Sequence, residues 1–427
     1  MTALVGILNK RAAVIAADSA VTITRGDNKK IINTANKVFR LTKHSPIGVM
    51  ICGSSEFMGI PWEVLIKLYR DKNPDIKFDT LKEYVESFIE FLRHERHCSD
   101  KNYQLESLQN ELSDYYYKIQ EFMQNDYDEA LKNGEADEAD IDKLKMKFLD
   151  ENFQLLDTRS EENGMCQDFE KYSLKRLQSY GKEVFDKLEN SCRDDKMPGT
   201  RKEWEKHFLK YVKSKLFIGK DSTIVFVGYG ENDIYPSLIP VVFAGCFDGR
   251  IRYYIDKEQE EYISNDNAAS ICPFAQSDTM IPLLKGVHPK MYDTIFEKLC
   301  NSLDAVKKKM IDAVEASGVD KTVAEAMASV DLKEISDGFH SEILEQINDA
   351  FIDGTVDAVD SFHIDDMVKM AESLISITNL QRHFSSSEES VGGPVDVAVI
   401  TKSEGFVWVN HKQWFQQQMN PQYVEKR

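Results

Sequence analysis

No stretch of this sequence approaches the roughly 18 consecutive apolar residues of a membrane-spanning helix, so no membrane span is expected. No CxxC pair occurs among the seven cysteines, and an odd, scattered set does not read as a disulfide framework. A basic region followed by an apolar run, the mark of a secretory leader, is also missing from the N-terminus. Together these absences predict a reducing, cytoplasmic setting. Excess positive charge is lacking as well. With 53 Lys and Arg against 72 Asp and Glu the net charge is −19. Nucleic-acid binding is therefore not expected, because phosphate contacts need clustered Lys and Arg. No fixed-period repeat of the solenoid kind is present.

What remains is a chain of 427 residues, 42% hydrophobic and 29% charged, the composition of a globular protein of two or three domains. Leu4 to Leu8 and Ala12 to Ala17 read as strands around the turn Asn9-Lys10-Arg11. A polar segment from Thr24 to Asn33 follows. Lys37 to Leu41 and Ile47 to Cys52 read as a second strand pair, and Trp62 to Tyr69 as a helix. Between about Asp79 and Lys215, Gly and Pro become rare and apolar residues recur at three- and four-residue spacing, as in Tyr84, Phe88, Phe91 and Leu92. Within this helical block, residues 121–160 hold twelve Asp or Glu against five Lys or Arg, which reads as a solvated helix face or loop. Strand patterns return at Ser222 to Val227, Ile239 to Ala244 and Ile251 to Ile255, with a shorter apolar piece at Ile271 to Phe274. A second helical stretch covers Ile281 to Phe384, and Val395 to Ile400 with Phe406 to Val409 form a last hairpin. Antiparallel strands and segregated helices predict an α+β fold, two stacked antiparallel sheets between helical layers. The expected division is a core of residues 2–75 and 217–427 with an inserted helical subdomain at 76–216.

The first nineteen residues also carry chemistry. Threonine directly behind the initiator Met1 is a small residue, before which methionine aminopeptidases cut. The freed chain would begin at Thr2, whose α-amine, with a pKa near 7.7–8.0, can take the proton of its own hydroxyl. A nearby cation would keep that amine neutral, a carboxylate would hold the cation, and a backbone N–H at a small-residue turn would receive the oxyanion. Lys37 at the start of the third strand, Asp18 at the end of the second, and Cys52-Gly53 after the fourth supply these parts.

The stretches "TALVGILNKRAAVIAADSAVT", "NKVFRL" and "GVMICGSSE" resemble the proteasome β-subunit and the peptidase of the HslUV complex, within the N-terminal nucleophile hydrolases. The resemblance covers roughly residues 2–70 and 222–409. It implies a four-layer αββα sandwich with Thr2, Asp18 and Lys37 as the catalytic core and Cys52-Gly53 in place of the family's glycine pair. It further implies that Gln276 or Ser277, in "FAQSDTM", stands for the family's catalytic serine. Glu388, in "SSSEESVGGPVDVAVI", takes the place of its aspartate, with Val391 where the family has serine. Met50 falls where the family lines its first specificity pocket, and a core strand residue explains it equally well. The implied activity is threonine-type cleavage of peptide bonds, by a homo-oligomeric ring, with a peptide or protein substrate and an ATPase or regulatory partner, and without metal or cofactor. Two alternatives stay open: a small-molecule amidase of the same superfamily, and an inert scaffold that binds a partner through the helical block.

Other features carry less. His94, His97 and Cys98 in "RHERHC" have metal-ligand spacing on a helix, but no fourth ligand stands out, and a solvated face is expected. "VGYGEN" leads from one strand toward another and so lacks the strand-to-helix context of a dinucleotide loop. Phe406, Trp408, Trp414 and Phe415 read as core plus a C-terminal strap, or as a subunit interface.

Overall fold

In the computed structural model, residues 2–25, 28–134, 141–192, 198–275, 277–316, 321–384 and 392–412 are described. The chain divides into two compact units. One comprises Met1–Ala35, Ile263–Val397 and Asn410–Arg427, and the other comprises Asn36–Tyr262 and Ala398–Val409. Both main sheets are antiparallel, and helices follow the strands in blocks, which makes the protein α+β.

In chain order the strands are β1 Ala3–Asn9, β2 Ala13–Ala17, β3 Val21–Arg25, β4 Asn28–Ile32, β5 Val38–Arg40, β6 Ile47–Gly53, β7 Glu56–Phe57 and β8 Ile60–Pro61. After the first helical block come β9 Ser222–Gly228, β10 Ser237–Phe247, β11 Arg250–Ile255, β12 Glu261–Tyr262 and β13 Ala269–Ala275. The last two are β14 Asp396–Thr401 and β15 Gly405–Asn410.

In the first unit β1 lies between β2 and β13, with Leu4 opposite Ala17 on one side and Ala3 opposite Ala275 on the other. Every residue of β1 and β2 is buried, which is why both read as near-continuous apolar runs rather than as alternating strands. The helices Gly354–Ser361 and Ile364–Phe384 pack on this sheet. The second of them turns Met367, Ala371, Leu374, Ile375 and Thr378 inward at the three- and four-residue spacing of one helix face. Asn9, fully buried in the β1–β2 turn, donates its amide to the carbonyls of Val359 (2.9 Å) and Phe362 (3.1 Å), closing the end of the first helix. At the start of β14, burial alone would raise the Asp396 carboxyl, but hydrogen bonds from His411 and Lys412 hold it below its ordinary range.

In the second unit the strand order is β11-β10-β9-β6-β5. Alternation along these strands sorts their side chains onto two faces. Phe39, Val49, Ile51, Ile224, Phe226, Ile239, Val241 and Phe243 share a cluster with the helices Trp62–Lys72 and Leu81–His94. That second helix starts at a capping box, in which Thr80 and Glu83 satisfy each other's backbone donors. The opposite face carries Val38, Met50, Cys52, Val225 and Val227, all buried as well.

The helices Lys101–Lys132, Ile141–Glu162, Leu174–Tyr180, Lys182–Ser191 and Arg201–Lys213 surround a separate aromatic cluster that includes Tyr115, Phe153, Trp204, Phe208 and Tyr211. Arg252 of β11 ties this helical group to the sheet. It is fully buried, donates to Glu111 Oε2 at 2.7 Å, and also reaches the carbonyls of Tyr211, Val212 and Leu216. Tyr211 donates its hydroxyl to the same Glu111 oxygen at 2.9 Å.

Two sequence expectations change. Most of the polar segment Thr24 to Asn33 belongs to a hairpin, β3 with β4, in which Val21 lies opposite Ile32. The helix through "RHERHC" breaks at Glu95, whose extended backbone separates Leu81–His94 from the short helix Arg96–Ser99. Cys98 is thereby fully buried instead of lying on a solvated face.

A buried ion pair is costly to break from one side, because the remaining charge keeps its burial and loses its partner. Glu111→Ala should therefore lower unfolding stability by roughly 3–5 kcal/mol in urea titrations followed by circular dichroism.

Candidate active site

Thr2 and Asp18 belong to the first unit, and Lys37, Met50, Cys52 and Gly53 to the second. Thr2 directly precedes β1 and is buried, 9% exposed. Because β1 and β2 form a tight hairpin, the residue after β2 returns to the start of β1. Asp18 donates its N–H to the Ala3 carbonyl at 3.2 Å, and its Oδ1 accepts the Ala3 N–H at 2.9 Å. A fully buried carboxylate is thus fixed one residue from the Thr2 hydroxyl.

The other Asp18 oxygen, Oδ2, accepts from the N–H of Ala20 (3.0 Å) and of Gly392 (3.2 Å). The loop before β14 is held from the Ser19 side as well. Ser19 donates its N–H to Gly392 (3.1 Å) and its hydroxyl to Pro394 (2.6 Å). Gly393 sits at φ +76°, where a Cβ would lie 2.8 Å from the Asn33 carbonyl, so the loop passes only as glycine.

The register of Ala3 with Ala275 brings the end of β13 beside the start of β1. Ala275 has a positive φ of 64°, uncommon for a residue with a side chain, and the helix Ser277–Lys285 begins two residues later. Gln276, Glu388 and Val391 lie outside the described residues, as does the side chain of Ser277.

In the second unit Lys37 is buried, 4% exposed, and its carbonyl accepts the Ile51 N–H at 2.9 Å. Lys37 is thereby set alongside β6. Met50 is fully buried on the same strand. At Cys52 burial pushes the thiol up to about 11, and the Asp221 carboxyl adds to the rise. A hydrogen bond with Thr223 and the Lys37 charge pull the other way. Cys52 is therefore held as the thiol at neutral pH.

The following residue carries the geometric demand of the turn. Gly53 lies at φ +79°, and a Cβ there would approach the Asp221 carbonyl to 2.5 Å. Only Gly53 needs the left-handed backbone, since Cys52 is an ordinary strand residue opposite Thr223. A cysteine in the first position of the turn is consequently compatible with its geometry. Beyond the glycine, Ser54 donates its N–H to the Asp221 carbonyl at 2.7 Å, and Ser222 donates its hydroxyl to Ser54 at 2.9 Å.

Sequence reasoning passed over Asp221. It is half-buried at the mouth of β9, and burial raises its carboxyl above the ordinary range, helped by the charge of Glu111. The one signal in the sequence is a charged residue immediately before the apolar run STIVFVG. Its closeness to Gly53 becomes visible only once β6 is paired with β9.

In chemical terms the first unit offers a buried threonine whose neighbour Ala3 is hydrogen-bonded to a buried carboxylate. The second offers a buried ammonium beside a glycine turn, the type of group that can receive developing negative charge.

No protein-family profile matches the sequence, and no curated protein matches it. Among solved structures, the Gly-1 mutant of Anbu from Hyphomicrobium sp. strain MC1 aligns over 100% of this chain and 94% of its own. The sequence identity is 8% and the TM-score 0.29, too loose a superposition to support an argument.

The backbone of the turn predicts unequal tolerance. Gly53→Ala should cost roughly 1–3 kcal/mol or more in thermal or urea unfolding, and Cys52→Ala distinctly less. Native Cys52 should remain unalkylated by iodoacetamide at pH 8, where mass spectrometry of the digested protein reads the result.

Proposed function

We propose that the protein is an N-terminal threonine hydrolase that cleaves peptide bonds, with Thr2 freed by removal of Met1. The observation that supports this most directly is the hydrogen-bonding of Asp18. A buried carboxylate that accepts N–H groups from Ala3, Ala20 and Gly392 fixes the backbone at the residue following Thr2.

In this reading the α-amine of Thr2 takes the proton of its own hydroxyl as Oγ attacks the substrate carbonyl carbon. The carbonyl π-electrons move to oxygen, and the N–H of Cys52 or Gly53 receives that oxyanion. The ammonium returns its proton to the departing amine as the C–N bond breaks, leaving an ester on Thr2. Water, deprotonated by the same amine, then releases the acid and restores the hydroxyl. Lys37 supplies the positive field that keeps the Thr2 amine unprotonated, and Asp18 orients Lys37. Gln276 or Ser277, together with Glu388, would complete the polar surroundings.

The four-layer αββα arrangement, the helical insertion at 76–216 and assembly into a homo-oligomeric ring that takes peptide or protein substrates belong to the same proposal. So does regulation through an ATPase or other partner.

Hydrolysis of fluorogenic peptides tests the reading. Thr2→Ala and Lys37→Ala should each lower kcat/KM by roughly 10³-fold or more, whereas Thr2→Ser should keep a measurable fraction. Full activity in Thr2→Ala would overturn it.

A further inference from the structure

The second unit holds a carboxylate that the mechanism above does not use. Asp221 directly precedes β9, where its backbone carbonyl accepts the Ser54 N–H at 2.7 Å just beyond Gly53, and Ser222 donates its hydroxyl to the Ser54 carbonyl. On the strand that follows, Thr223 and Val225 lie opposite Cys52 and Met50. The Cys52 thiol responds to Asp221 and Lys37 with opposite signs, so charges of both kinds reach the turn.

Among the described residues no cation forms an ion pair with Asp221. The charged neighbour that acts on it, Glu111, is already paired with Arg252. A half-buried carboxylate left without a counter-charge is costly, and such groups concentrate at binding and catalytic sites.

We propose that Asp221 is a specificity residue that selects substrates with a lysine or arginine side chain next to the scissile carbonyl. This rests on the reading that Gly53 or Cys52 receives the oxyanion. A substrate whose carbonyl oxygen sits at that turn carries its neighbouring side chain past the same strand ends. A lysine or arginine stem lies along the apolar strand face while its charged head meets the carboxylate. Leucine would leave the carboxylate without its counter-charge, and glutamate would add a second negative charge beside it.

The test is a panel of peptidyl-aminocoumarins with Arg, Lys, Leu or Glu before the cleaved amide. The panel is turned over by the full-length wild type, Asp221→Asn, Asp221→Lys and Thr2→Ala. Wild type should favour Arg and Lys over Leu and Glu. The Arg:Leu ratio of kcat/KM should fall at least roughly tenfold in Asp221→Asn, the loss expected for one charge-assisted contact. In Asp221→Lys the Arg:Glu ratio should invert.

A wild-type preference for Leu or Glu overturns the assignment, and needs no folded variant to do so. An Arg:Leu ratio unchanged in Asp221→Asn overturns it while the threonine mechanism stands. Failure of that mechanism has its own signature, coumarin release that is absent in wild type or survives in Thr2→Ala, and the assignment falls with it.

Discussion

A single buried carboxylate holds together the part of the chain on which the proposed chemistry depends. Asp18 accepts hydrogen bonds from the start of β1, from its own turn and from the loop before β14, segments separated by hundreds of residues in sequence. These three donors are backbone N–H groups, so this part of the demand falls on the path of the chain rather than on side-chain identity. Removing the carboxylate would strand two buried donors and a part-buried one at once, and each buried loss costs about 1–3 kcal/mol. The glycine at 393 follows from the same constraint. The loop reaches Asp18 only by passing close to Asn33 and Ser19, where no side chain fits.

The second unit shows a complementary logic. Its glycine turn has no room for a side chain, because the backbone carbonyl of Asp221, just before β9, lies where a Cβ on Gly53 would go. One residue thus shapes the turn through its main chain and, in the proposed assignment, chooses the substrate through its side chain. Lys37 and Asp221 give the Cys52 region opposite charges. That polarity suits a substrate that presents an anionic oxygen in the transition state and a cationic side chain in the ground state. Buried Met50 behind the turn supplies apolar packing.

Much of this framework could be read from local sequence. Both strands of the first hairpin, and those at Ile47–Gly53 and Ser222–Gly228, were legible because burial on both faces leaves continuous apolar runs. The position of Asp18 beside the start of β1 followed from the length of a tight hairpin. Other features depend on contacts that no local pattern records. The β3–β4 hairpin mixes charged and polar residues with Val and Ile, and the extended backbone at Glu95 that precedes buried Cys98 has no local signal. The pairing of Gly53 with Ser222, which brings Asp221 to the turn, joins strands separated by the whole helical block. A charged residue before a strand looks like any other until its partner strand is known.

The central claim is that Thr2 becomes the N-terminal nucleophile, and intact-mass spectrometry after treatment with a peptide epoxyketone tests it most directly. That reagent bonds to both the hydroxyl and the α-amine of an N-terminal threonine. The account predicts a wild-type mass lacking Met1 and carrying one adduct, with no adduct on Thr2→Ala. A protein that keeps Met1 and takes up no reagent would contradict it, because the amine on which every step relies would then be part of a peptide bond.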